Sequence, residues 1–212
     1  MAYLIINPNS TAAMTEAMLE VARAAVPGVT LEGWTSAGGP PAIQGHADGL
    51  KAAPPLLELI DKAGAEGFEG IIIACFDDTA LEQAQARAAV PVIGIGQAAY
   101  HAAALRGWSF SVVTTLPISV PILEENIIRY GFEHLLGKVR ASDVPVLALE
   151  EDPEAATEAV AAETARAMAG DGVDCVILGC AGMAKLTAHL RARFDKPVID
   201  GVESAARLIT AL

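Results

Sequence analysis

The feature that most constrains this chain is a pattern written twice. Gly70-Ile-Ile-Ile-Ala-Cys75 leads through a helical stretch to Val90-Pro91-Val92-Ile93-Gly94. Asp174-Cys175-Val-Ile-Leu-Gly-Cys180 leads through another to Lys196-Pro197-Val198-Ile199-Asp200. Cys75 lies 16 positions before Pro91, Cys180 lies 17 before Pro197, and the two cysteines are 105 apart in a chain of 212. The openings of the halves also correspond. An apolar run ending in Asn7-Pro8-Asn9-Ser10-Thr11 answers one ending in Thr114-Thr115, each ahead of a helical pattern. Such self-similarity implies a duplicated lobe and a pseudo-twofold axis.

Short apolar runs alternate with Ala- and Glu-rich stretches throughout. Strands are expected at 3–7, 29–34, 70–74, 91–95, 109–114, 144–149, 173–178 and 197–199. Helices are expected near 12–25, 48–66, 79–89, 117–130, 153–169, 183–193 and 201–212. Strands separated by helices imply parallel pairing through right-handed crossovers. The expected fold class is α/β, with two pseudo-symmetric lobes, each a mostly parallel sheet flanked by helices. Lobe one covers 1–97 and is completed by 201–212; lobe two covers 98–200. Ser10 and Thr11 are expected to cap the first helix, and Asp152 followed by Pro153 a later one.

Composition narrows the function. Hydrophobic residues make up 53% of the chain and charged ones 19%, enough for a large core and unlike a disordered segment. Fourteen basic residues against 26 acidic give a net charge of −12, which opposes binding to nucleic acid or an anionic membrane. No apolar run reaches the roughly 18–20 residues of a membrane span. The start has no basic segment ahead of its short apolar run, unlike a signal peptide. Three cysteines do not make a disulfide scaffold, so a cytoplasmic protein with reduced thiols is expected.

In a parallel sheet, ligands bind beyond the carboxyl ends of the strands. Cys75 and Cys180 each fall just past a buried strand and ahead of a helix. A pseudo-twofold between lobes brings the two thiols to opposite walls of one cleft. That arrangement suits proton exchange between two faces of a carbon: one thiolate removes the proton and the opposite thiol delivers another. A helix N-terminus is expected to lower each thiol pKa from about 8.5. Backbone N–H groups beside Ala181-Gly182 could stabilise an enolate. A single cysteine at a strand end is ordinarily a small buried hydrophobe; two at corresponding points of a repeat are not so easily dismissed. Cys175, inside a strand and without a counterpart, reads as core.

The motifs that carry a resemblance are Ile6-Asn-Pro-Asn-Ser-Thr11 with Met14-Thr15, Gly39-Pro40 through Ile43, and Cys75-Phe-Asp-Asp78. They continue with Pro91-Val-Ile-Gly-Ile95, Val113-Thr-Thr115, Leu178-Gly-Cys-Ala-Gly-Met183 and Pro197-Val-Ile-Asp-Gly201. Over nearly its whole length the chain resembles the hydantoin racemase branch of the Asp/Glu racemase superfamily, which includes allantoin racemases. The resemblance implies a homo-oligomer that needs no cofactor, with Cys75 and Cys180 as the catalytic pair. It also implies a substrate site formed by Asn9, Ile43, Phe76, Thr114, Thr115, Ala181 and Gly182. Amino-acid racemases of the superfamily follow their cysteines with Asn-Thr and Thr-His; here the pairs are Phe76-Asp77 and Ala181-Gly182, which suits a neutral hydantoin-type ring.

Other readings are an aspartate- or glutamate-type racemase, a maleate isomerase, and a catalytically idle small-molecule binding protein. Gly94-Ile-Gly96 superficially matches a dinucleotide fingerprint, but the acidic residue about 20 positions on is missing, and a tight turn before a lobe-crossing helix is expected instead. The four histidines lack metal-ligand spacing. Asp77-Asp78, at the start of a helix, are expected to cap it rather than to act as acid and base.

Overall fold

The computed structural model describes residues 2–212. The first sheet is formed by β1 (Ala2–Asn7), β2 (Thr30–Thr35), β3 (Gly70–Ile73) and β4 (Val92–Gly94), in the order β2-β1-β3-β4. The second is formed by β5 (Phe110–Thr114), β6 (Leu136–Ala141), β7 (Cys175–Leu178) and β8 (Val198–Asp200), in the order β6-β5-β7-β8. All pairings are parallel. The two sheets therefore repeat one strand order, as a duplicated α/β unit requires. Helices α1 (Ala12–Ala25), α2 (His46–Ala63) and α3 (Leu81–Arg87) accompany the first sheet. Helix α4 (Ile95–Ala104) leads to the second, followed by α5 (Val120–Arg129), α6 (Ala148–Glu151), α7 (Pro153–Gly170), α8 (Thr187–Arg193) and α9 (Gly201–Ile209). The expected division at 97/98 falls inside α4.

Alternate strand residues belong to different cores, which explains why the strands read as unbroken apolar runs. Leu4, Ile6, Ile71 and Ile73 face outward onto Leu56 and Ile60 of α2. Val113, Val176 and Leu178 face outward onto Val160 and Ala161 of α7. Ile5 and Ile72 of the first sheet share a central core with Val112 and Ile177 of the second, together with residues of α1, α4, α5 and α9. Helix α9 follows β8, yet it packs on the first sheet: a Cβ on Gly70 of β3 would lie 2.8 Å from Ile209.

The expected strand at 144–149 is not there. The second sheet is completed instead by β6, and 144–149 is a loop that runs into the first turn of α6. β6 is an edge strand in which only Val139 is buried, so its sequence carries little apolar signal. Val144 and Val146 pack into the cores from irregular backbone and Leu149 from α6, and Pro145 has no N–H for a ladder. Asp152 caps α7 as expected, accepting from Ala155 N. Thr11 occupies the cap position of α1 without capping it, because its hydroxyl donates to Pro41 O at 2.7 Å.

Tyr100 of α4 lies at the centre, stacked on Phe110 and edge-on to Phe76, each at 5.6 Å between ring centroids. Its hydroxyl is buried and finds no partner among the described residues. An unmatched buried hydroxyl costs about 1–3 kcal/mol. Tyr100→Phe keeps the ring packing and removes that cost, so urea titration should show unchanged or higher stability. A loss above about 1 kcal/mol would reveal a hidden partner for the hydroxyl.

Candidate active site

The site lies where loops from the carboxyl ends of β1, β3, β5 and β7 converge. After β1, Asn7 organises the loop: its side-chain amide donates to Asn9 Oδ1 (2.9 Å), Thr11 O and Thr15 Oγ1. Asn9 Oδ1 also accepts from Thr11 N, which fixes the Asn9 side chain. After β5, Thr114 Oγ1 donates to Gly179 O at 2.9 Å, and Gly179 N donates to Val113 O. A Cβ on Gly179 would lie 2.7 Å from Val112 Cγ1. That glycine lets β7 approach β5 closely just before Cys180.

The loop after β3 is held from three directions. Asp78 accepts from Gly96 N (3.0 Å) and Gln97 N (2.7 Å) in the first turn of α4, and from Tyr130 Oη (2.8 Å). It is thus a cap, though for α4 rather than for the helix that follows it. The cap position of α3 belongs to Ala80, which makes no side-chain cap. This also explains Gly94-Ile-Gly96, which is no turn, since α4 begins at Ile95. A Cβ on Gly94 would fall on the Asp78 carboxylate, and one on Gly96 on the Phe76 carbonyl oxygen. Asp78 and Ala80 adopt left-handed backbone, with φ of 50° and 53°, a conformation that side chains ordinarily avoid. From the second lobe, Asn126 Nδ2 donates to Asp77 O at 2.9 Å.

All nine residues singled out in the sequence meet at one cavity. Asn9, Ile43, Cys75 and Phe76 line it from the first half, and Thr114, Thr115, Cys180, Ala181 and Gly182 from the second. The lining also includes Asp77, Ser119, Leu123 and Val146, which sequence reasoning missed as site residues. For Asp77, the signal was its position two residues after Cys75. The cavity measures about 30 Å³, the share of roughly one water in the liquid. Gln44 Oε1 accepts from Val146 N at 2.9 Å across the lobes, beside Ile43. A small ring enters only when these walls part.

All three cysteines are free. Cys75 is buried and its Sγ–H donates to Asp77 Oδ1 at 2.6 Å. Burial raises its pKa well above the ordinary thiol value, and the adjacent Asp77 raises it further. Cys180 stands ahead of the short 3-10 helix Ala181–Leu186. Burial pushes its pKa up to about 12, although N–H groups of Gly182 and Met183 pull the other way. The expected lowering of both thiols is therefore overturned, because desolvation outweighs one turn of backbone dipoles. Cys175 is fully buried, as core.

Among the described residues no Lys, Arg or His lines the cavity. No group of three or more His, Cys, Asp and Glu side chains comes together to hold a metal ion among the described residues.

The sequence profile of the Asp/Glu/Hydantoin racemase family matches residues 4–209. The chain belongs to that family. It is 45% identical over 211 residues to a hydantoin racemase of Rhizobium meliloti, covering 98% of this chain and 87% of the relative. Its structure superposes on an allantoin racemase from Klebsiella pneumoniae with a TM-score of 0.96 at 40% identity, covering 100% of this chain and 87% of that one. An allantoin racemase from Pseudomonas fluorescens gives 0.95 at 36% identity, covering 100% and 90%. The family membership and the two-lobed α/β fold agree with the reading of the sequence.

Proposed function

We propose that this protein racemises 5-substituted hydantoins, allantoin among them, by passing a proton between the faces of the ring carbon through Cys75 and Cys180. The observation that carries the reading is that these cysteines, equivalent in the repeat, line one cavity between the lobes. One sulfur, as thiolate, takes the proton; the electron pair moves toward a ring carbonyl; the opposite thiol protonates the other face. Closing the walls excludes water from the carbanion. The relatives named hydantoin and allantoin racemase support the substrate class. Asn9, Thr114 and Thr115 supply polar groups for the ring, while Ile43, Phe76, Ala181 and Gly182 supply an apolar or close-fitting wall.

The lining favours a neutral ring over a dicarboxylate. Aspartate, glutamate or maleate would meet no cation there and would face the Asp77 carboxylate, a costly burial of unpaired charge. Homo-oligomerisation and a cytoplasmic location belong to the same proposal; the first rests on the resemblance and the second on the three cysteines, all free of disulfides. No helix among the described residues is long and apolar enough to cross a membrane.

The test uses enantiopure allantoin and a panel of 5-substituted hydantoins in heavy water, followed by polarimetry and NMR. Optical rotation should decay while deuterium enters at the chiral carbon. If neither happens with any member, the function is wrong. Racemisation of free aspartate or glutamate instead would transfer the chain to the amino-acid branch.

A further inference from the structure

The reaction proposed above needs one negative charge shared between its two sulfurs, yet burial holds both as neutral thiols. A third acid stands beside Cys75. Asp77 lines the same cavity, and among the described residues Cys75 is the only side chain that donates to its carboxylate, at 2.6 Å. It caps no helix, since α3 begins at Leu81 after Ala80. Its backbone is fixed by Asn126 from the other lobe. Among the described residues no carboxylate accepts from Cys180, which feels the Asp77 charge only through space and is acted on by the N–H groups of Gly182 and Met183. The repeat is thus broken at this point: the first half has Cys-Phe-Asp and the second Cys-Ala-Gly.

We propose that Asp77 stores the proton of Cys75, so that the negative charge of the resting cleft sits on its carboxylate. The inference rests on the proton-transfer reading above. When Cys75 is the base, its S–H bond breaks and an O–H bond forms on Asp77. The freed sulfur pair then takes the proton from the ring carbon, whose bonding electrons move to the carbonyl. Cys180 loses its S–H proton to the opposite face of that carbon and becomes the thiolate. The charge has moved from Asp77 to Cys180, and no proton has been gained or lost. The other enantiomer runs the sequence backward. Cys180 takes its proton, Cys75 protonates the carbanion, and Asp77 returns the stored proton to Cys75.

The experiment compares wild type, Asp77→Asn and Asp77→Glu as full-length protein. It follows racemisation against pH and iodoacetamide labelling of each cysteine, resolved by peptide mass spectrometry. In Asp77→Asn, kcat should fall by about 10²-fold with KM nearly constant. Cys75 labelling near pH 8 should quicken by roughly 10-fold, because the neighbouring charge that holds its proton is gone. Labelling of Cys180 should change less. Asp77→Glu should recover part of the activity. A disturbed loop would also expose Cys75 to labelling, but it would lower stability to urea as well, so unchanged stability beside the opposite movements of kcat and labelling separates a proton store from a structural prop.

Wild-type kcat and pH profile in Asp77→Asn would overturn the proton store while leaving the racemase reading intact. If the wild type itself racemises nothing, the racemase reading fails. The labelling arm then decides the Asp77–Cys75 coupling by itself, and an unchanged Cys75 rate overturns it.

Discussion

Cys75→Ser and Cys180→Ser should each lower racemisation by about 10²–10⁴-fold, the usual contribution of a positioned acid or base. A serine hydroxyl is a far weaker acid than a thiol, so it neither carries the negative charge nor gives up a proton readily. The informative result is what survives. Each single variant keeps one sulfur, which can still take a proton from the enantiomer whose hydrogen faces it. Deuterium should therefore enter one enantiomer without inversion, and the opposite enantiomer in the other variant. Proton NMR of separately incubated enantiomers in heavy water measures this. Full activity in the double variant would end the two-sulfur mechanism.

The second large effect concerns folding. Asp78→Ala strips acceptors from Gly96 N, Gln97 N and Tyr130 Oη in a buried setting, and should cost about 3–5 kcal/mol. Gly94→Ala should cost a similar amount, because the new methyl occupies the space of the Asp78 carboxylate. Both changes break one interaction, so their costs should not add. The double variant should be about as stable as either single one, by urea denaturation. Additive losses would show that Gly94 serves some other neighbour.

A pH signature accompanies the cycle. Burial raises the Asp78 carboxyl from 3.8 to about 7, so the folded protein keeps that proton where the unfolded chain has released it. Stability from this group is greatest below the unfolded pKa and declines as pH rises toward the folded one. Asp78→Ala should flatten that decline.

Much of this was legible in the sequence because duplication made it so. Cys75 and Cys180 stood out through their matching distances to Pro91 and Pro197, and the strands of both sheet centres through unbroken apolar runs. What escaped depended on contacts far apart in the chain. Asp78 finds its donors 18, 19 and 52 residues away, so its sequence neighbours pointed to the wrong helix. β6 was missed because an edge strand half open to water needs few apolar residues. The thiol pKa values were misjudged because a cap is visible in a sequence and the depth of burial is not.

The shared central core has a consequence for descent. Ile5 and Ile72 on one side, and Val112 and Ile177 on the other, share one core with α1, α4, α5 and α9, so each half helps to cover the other. A primordial chain of one repeat would have covered that face only in part and had to seek its twin. A cleft between two identical partners would then have preceded gene fusion, and fusion freed each copy to diverge, leaving an acid beside one sulfur and small residues beside the other.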